Sequence, residues 1–252
     1  MKLLSLARDL GRRKARERRS QFVAEGVRAV EELVRSPLTI AGALVAPQLL
    51  DAPRGAALRD KLEQRGVNVE SVDHQEFASA AETESPQGVL AIADVPARAL
   101  TQILDSPAPI LVLDGIQDPG NVGTILRTAA ALGARATIAL PGTVDLWNAK
   151  VVRSAVGAHF THLAFASSWE ELSAYLAESK VPLWTAASDG DSLGDVARPS
   201  RVALALGNEG AGVSATVAAA SARRVAIPIG EHAESLNVAV AAGIFLHVLR
   251  SS

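Results

Sequence analysis

Leu3, Leu6 and Leu10 repeat at helical spacing, but from 11 to 20 the only aliphatic side chain is Ala15. Val23, Val27, Val30 and Val34 then recur at i, i+4, i+7 and i+11, which predicts an amphipathic helix closed by Pro37. Shorter pieces alternate after it: a strand over 39–46, a helix over 56–66, a strand over 67–72, a helix over 75–82 and a strand over 88–94. Together they predict a small α/β domain over 1–98, followed by a proline-bracketed linker over 99–109.

From 110 the pattern is more regular. Apolar runs without alternation stand at 110–116, 136–140, 161–166, 181–187, 201–207 and 223–229, with helical segments between most of them. Such strands are buried on both faces, which predicts a mostly parallel α/β sheet in a second domain over 110–252. The apolar run Val238–Leu249 is too short to span a bilayer and reads as a core or subunit-interface helix.

Composition narrows the class. The 252 residues include no cysteine, which removes disulfide scaffolds, CxxC redox sites and Cys-based zinc sites. No apolar run approaches the ~20 residues of a membrane-spanning helix. The opening MKLLSLARDLGRRK turns basic too early for a secretory signal, so a cytoplasmic protein with no membrane association is expected.

The net charge of −2 hides an asymmetry. Residues 1–20 hold eight cations (Lys2, Arg8, Arg12, Arg13, Lys14, Arg16, Arg18 and Arg19) against Asp9 and Glu17, a net +6. The other 232 residues hold 17 basic and 25 acidic side chains, a net −8. An anionic partner is expected at the amino-terminal segment, although a solvated helix face would look the same.

Three segments carry candidate chemistry. In LDGIQDPGNVGTILRTAAALGA (113–134) a strand ends at Ile116, Asp118 can cap the next helix, and Pro119 sits where no N–H is needed. That helix starts at the carboxyl end of a strand, where open α/β sheets bind ligands. Gly120 and Gly123 crowd its first turns although glycine there costs ~1 kcal/mol each, and Arg127 stands at i+4 from Gly123. In LALGNEGAGVS (204–214) a glycine-rich turn joins a strand to a helix, with Ser214 as the expected cap. The turn is neither GxGxxG nor Walker A, whose lysine position is Val213. In VAIPIGEHAESLNVAVAAGIFLHVL (225–249) a polar loop leads into a helix expected to start near Ser235, with Ser235 and Asn237 at its mouth. Each feature also has a plain structural explanation: a surface arginine, a turn, a helix cap.

Other constellations are weak. His159 and His162 lack a third ligand, and GxSxG and HExxH do not occur. Lys150, Arg153 and Ser154 fall on a short predicted helix after Trp147, as an interface face or a phosphate contact.

Order and spacing make the three segments specific. Residues 110–252 resemble the SpoU (TrmH-type) RNA ribose 2′-O-methyltransferases. Asn121, Gly123 and Arg127 match the first family motif and Gly207-Asn208-Glu209-Gly210 the second; Ile227-Pro228 with Ser235-Leu236-Asn237-Val238 match the third. The basic opening, FVAEGVRAVEELV (22–34) and SPQGVLAIADVP (85–96) resemble the ribosomal-protein-like substrate-binding domain often found ahead of it.

The resemblance implies a SPOUT-type sheet with a deep trefoil knot, a homodimer built across the knotted domain, and S-adenosylmethionine as methyl donor. Its cofactor contacts map onto Leu206, Gly207, Ile227, Pro228 and Leu236. Its catalytic positions map onto Arg127, with Asn121, Glu209, Ser235 and Asn237 orienting the arginine and the ribose. No metal is called for. Arg8, Arg12, Arg13, Lys14, Arg16, Arg18 and Arg19 would meet RNA phosphates.

The family arginine has been regarded as the base. Removing a guanidinium proton at neutral pH costs on the order of 8 kcal/mol, so a charged arginine that holds phosphate and stabilises developing alkoxide is the easier role. Ribosomal RNA is the expected target, ahead of transfer RNA. The competing classes are a non-catalytic RNA-binding protein of the same fold and a nicotinamide-dependent enzyme using the glycine turn.

Overall fold

A computed structural model of the chain describes residues 3–230 and 235–250; Lys2 lies outside them. The first elements are α1 (Leu3–Leu10), α2 (Arg13–Arg19), β1 (Gln21–Glu25), α3 (Val27–Arg35), β2 (Ile40–Val45), α4 (Pro53–Gln64), β3 (Val69–Ser71), α5 (His74–Ala78) and β4 (Val89–Asp94). They continue with β5 (Ile110–Asp114), α6 (Pro119–Ala131), β6 (Ala136–Ala139), α7 (Ala149–Ser154), β7 (Ala164–Ala166), α8 (Trp169–Glu178) and β8 (Leu183–Ser192). Last come β9 (Ala203–Gly207), α9 (Ala215–Ala219), β10 (Arg223–Ala226) and α10 (Val238–Leu249).

The chain forms two compact units. One contains the residues up to Ala97 together with Trp147–Thr161; the other contains Arg98–Leu146 and the chain from His162 onward.

In the first unit the strand order is β1-β4-β2-β3, with β4 antiparallel to β1 and β2, and β3 parallel to β2. The valine-periodic helix expected over 23–34 divides: Phe22 and Val23 lie in β1, and only Val27–Arg35 is helical. The break is Gly26, whose φ of +94° suits glycine and few other residues. Burial of Phe22, Val23 and Ala24 in the sheet outweighs the helical period.

Trp147–Thr161, expected in the second domain, belongs to this unit because its rings are buried in it. Trp147 packs on Phe22 at 4.5 Å between ring centroids and on His159 at 4.6 Å, and Phe160 lies 5.5 Å from Phe22. Gly157 permits this close turn: its φ is +71°, and a Cβ there would lie 2.5 Å from the Phe160 ring.

In the second unit the order is β10-β8-β9-β5-β6-β7, and every pairing is parallel. All five residues of β5 are buried, as expected for a strand covered on both faces. Val112, Ile138 and Ala205 from the central strands pack with Leu172 and Leu176 of α8.

Arg98 enters this unit with a half-buried guanidinium that donates to the carbonyls of His162 and Ala164, the latter at 3.2 Å. His162, with Nε2 2.9 Å from Thr137 Oγ1, is buried, and this together with Arg98 lowers its pKa to about 4. Among the described residues no helix is long and apolar enough to cross a membrane.

Candidate active site

The first motif is built by a strand end and a capped helix. Beyond β5, Gly115 turns with φ +72°, and its N–H donates to Thr143 Oγ1 at 3.1 Å. Asp118 accepts from the N–H of Asn121 at 2.7 Å and Pro119 occupies the first turn, so α6 begins as its sequence predicts. Gly123 is buried on α6 and Arg127, one turn later, is exposed.

The second motif folds back on itself. Asn208 and Gly212 exchange backbone hydrogen bonds of 2.9 and 2.8 Å. A Cβ on Gly207 would lie 2.0 Å from the Gly212 carbonyl carbon, so only glycine fits there. Asn208 Oδ1 accepts from the N–H groups of Gly210 and Ala211 at 3.0 and 3.1 Å, while its Nδ2 donates to Gly115 O at 3.2 Å. Asp114 accepts from the Ser214 N–H at 2.6 Å. Ser214 stands at the N-cap of α9 without a side-chain capping bond, so the sequence expectation of a serine cap holds for its position only.

The third motif meets the other two. The last helix begins at Val238 rather than near Ser235, because Asn237 caps it, accepting from Ala239 N at 2.9 Å and Val240 N at 3.3 Å. With its oxygen turned to the helix, the Asn237 amide donates to Asn121 Oδ1 at 2.9 Å. Asn121 Nδ2 in turn donates to Glu209 Oε1 at 2.6 Å. A helix end that only donates stands at one end of this chain and a carboxylate that only accepts at the other, so both amides have one consistent orientation.

These bonds join Asn121, Glu209 and Asn237. Arg127 and Ser235 are exposed and have no side-chain hydrogen bond among the described residues.

A cleft opens beside the network at the carboxyl end of β9 and the middle of β8. Leu206, Gly207, Ile227 and Leu236, the positions that the resemblance maps to cofactor contacts, line it together with Glu209 and Ser235; Pro228 is exposed and outside the lining. Its apolar walls and the backbone of the glycine turn suit a purine nucleoside, which is what S-adenosylmethionine would present there. Phe245 of α10 and Ala186 to Ser188 of β8 line the cleft as well.

The sequence motifs place none of those β8 residues at the site, although 186 and 187 fall in the expected strand over 181–187. The register between β10 and β8 jumps from Arg224–Thr185 to Val225–Asp191, leaving 186–190 without counterparts in β10. Arg224 pairs with Asp189, and Arg223 lies 3.6 Å from Asp191, at either side of Gly190. The usable signal was the small, polar stretch AASDGD interrupting an apolar strand.

The amino-terminal cations divide by environment. Arg16 is buried, donating to the carbonyls of Leu10 and Gly11 at 2.8 and 2.9 Å; it braces the turn between α1 and α2 and is withdrawn from solvent-borne phosphates. Arg8 donates to Ser79 Oγ at 2.8 Å and Arg13 to Glu17 at 2.7 Å, both exposed. Lys14 is exposed. Arg12, Arg18 and Arg19 converge on Asp9.

Residues 108–247 match the model of the SpoU rRNA methylase family, and residues 5–91 match an MRM3-like substrate-binding domain. The chain belongs to the SpoU rRNA methylase family. As a SpoU methylase it is an S-adenosylmethionine-dependent RNA 2′-O-methyltransferase.

It is 34% identical over 247 residues to the 23S rRNA (guanosine(2553)-2′-O)-methyltransferase RlmP of Bacillus subtilis, covering 96% of this chain and 94% of that one. It is 33% identical over 202 residues to the 23S rRNA (adenosine(1067)-2′-O)-methyltransferase of Streptomyces azureus, covering 78% and 74%. The SpoU methyltransferase AviRb of Streptomyces viridochromogenes, solved with AdoMet, superposes with a TM-score of 0.86 at 26% identity, covering 99% of this chain and 97% of that one. An AdoMet-bound rRNA methyltransferase from Sinorhizobium meliloti gives the same TM-score and identity, covering 99% and 94%.

Proposed function

We propose that this SpoU methylase acts on ribosomal RNA, with Arg127, Asn121, Glu209, Ser235 and Asn237 as its catalytic set. The observation that carries the site reading is the Glu209–Asn121–Asn237 network, which draws residues from all three motifs to the rim of one apolar cleft. The target reading is supported by relatives named for 23S rRNA.

When bound, S-adenosylmethionine supplies an electrophilic methyl group on a sulfonium that leaves as a neutral thioether. Leu206, Gly207, Ile227 and Leu236 would hold it by apolar contact and backbone groups, and Pro228 would shape the loop beside them. The network fixes Asn121 and Asn237 so that a ribose meets oriented amides rather than mobile ones. Arg127 stays charged, grips the neighbouring phosphate and stabilises the alkoxide that develops on the 2′-oxygen. The proton passes late to phosphate or water.

RNA capture falls to the unit containing α1 to α5, with Arg8, Arg12, Arg13, Lys14, Arg18 and Arg19 as candidate phosphate contacts. A homodimer is proposed through α10, supported by the exposed apolar side chain of Val240 in its first turn. The family's trefoil knot fits a sheet in which β10 lies outside β8 while α10 packs back on α6 and β9. A cytoplasmic location fits an enzyme of ribosomal RNA.

The deciding experiment is transfer of radiolabelled methyl to purified ribosomal and transfer RNA by the wild type and Arg127→Ala. The expected result is labelled ribosomal RNA, no turnover by the variant, and cofactor affinity within a few fold of wild type. Label in transfer RNA alone overturns the target; retained turnover overturns the role of Arg127.

A further inference from the structure

Arg12, Arg18 and Arg19 approach a single carboxylate, that of Asp9: Arg12 Nη2 on Oδ1, Arg18 Nη2 at 3.0 Å and Arg19 Nε at 3.4 Å on Oδ2. Asp9 is mostly covered, with 17% of its side chain exposed, whereas Arg12 and Arg18 are 76% and 67% exposed. The corner that carries them is braced by hydrogen bonds. Arg16, buried beneath, bonds the carbonyls of Leu10 and Gly11, and the Arg12 N–H donates to Asp9 O at 3.1 Å. The guanidiniums hold the Asp9 carboxyl below the usual carboxylate range, the Arg12 hydrogen bond contributing most.

Stability does not account for this arrangement. Exposed ion pairs contribute little, and like charges drawn to one carboxylate also repel one another. What the arrangement does achieve is order. A long arginine side chain loses rotamer freedom when it grips a ligand, and a contact made in the free protein incurs that loss beforehand. Each guanidinium has five N–H donors, so the contacts Arg12 and Arg18 make with Asp9 leave donors over.

We propose that Asp9 is a positioning residue that presents Arg12 and Arg18 as a preformed clamp for neighbouring phosphates of structured RNA. This rests on the proposed RNA-capture role of the amino-terminal segment, and the two can be separated by experiment.

Bulk electrostatics and preorganisation predict opposite signs. Asp9→Asn removes a negative charge, so bulk electrostatics alone would tighten RNA binding. Preorganisation predicts binding weakened about fivefold, restored by Asp9→Glu. Filter binding of the full-length chain to transcribed 23S rRNA, from about 50 to 200 mM salt, measures both. Arg12→Gln/Arg18→Gln should weaken binding and lower the salt slope by about two. Adding Asp9→Asn to that pair should then cost nothing more.

Equal or tighter binding by Asp9→Asn, with the arginine pair weakened, overturns the role of Asp9 alone. Unchanged binding by the arginine pair overturns the RNA role of the segment as well. An Asp9→Asn loss that persists undiminished in the arginine-pair background shows that Asp9 acts through the fold, and also overturns the clamp; circular dichroism melts of each variant accompany the series.

Discussion

Asn237 donates from Nδ2 to Asn121 Oδ1 across 2.9 Å, although 116 positions separate them in the chain. The bond ties the cap of the last helix to the first turn of α6, and Asn121 passes the constraint to Glu209.

If this network positions the ribose, its members act as one unit. Asn121→Ala and Asn237→Ala should each lower kcat about 100-fold, and the double variant should lose little more than either single one. Single-turnover methyl transfer checks this. Multiplicative losses would show that the amides act separately.

Gly207→Ala tests the glycine turn. A Cβ 2.0 Å from the Gly212 carbonyl carbon has no room, so the turn must open. The expected cost is about 3 kcal/mol of stability and at least tenfold weaker S-adenosylmethionine binding, read by urea denaturation and calorimetry.

His162 predicts an acid-sensitive fold. Its pKa falls from 6.5 to about 4 on folding, so the unfolded chain binds its proton more readily. Stability from this group is fully present above pH 6.5, falls as pH drops below that value, and is fully lost once pH is below about 4. The loss is on the order of 3 kcal/mol. His162→Gln, able to keep a bond to Thr137, should flatten stability between those pH values; an unchanged slope in urea midpoints counts against it.

Trp147→Ala should destabilise the first unit by about 3–5 kcal/mol, since its indole packs on both Phe22 and His159. Hydrogen exchange should report loss of protection in β1 as well as in α7. Protection lost only in α7 would mean that the segment is not integral to that core.

Local physics made much of this protein legible from its residues. Unalternating apolar runs announced the parallel sheet, Asp118-Pro119 announced the start of α6, and the three motifs, by order and spacing, announced the family. Glycine at 207 signalled a close approach without saying of what. Long-range arrangement was decided by the tertiary structure alone. Nothing in helical or strand periodicity pairs Phe22 with Trp147, directs the Asn237 amide at Asn121, or sinks Arg16 while leaving Arg18 in solvent. Periodicity records which face of an element is apolar, a property of neighbours three or four residues apart. Which buried face meets which, and which polar groups are then left to bond each other, is settled only when the whole core closes.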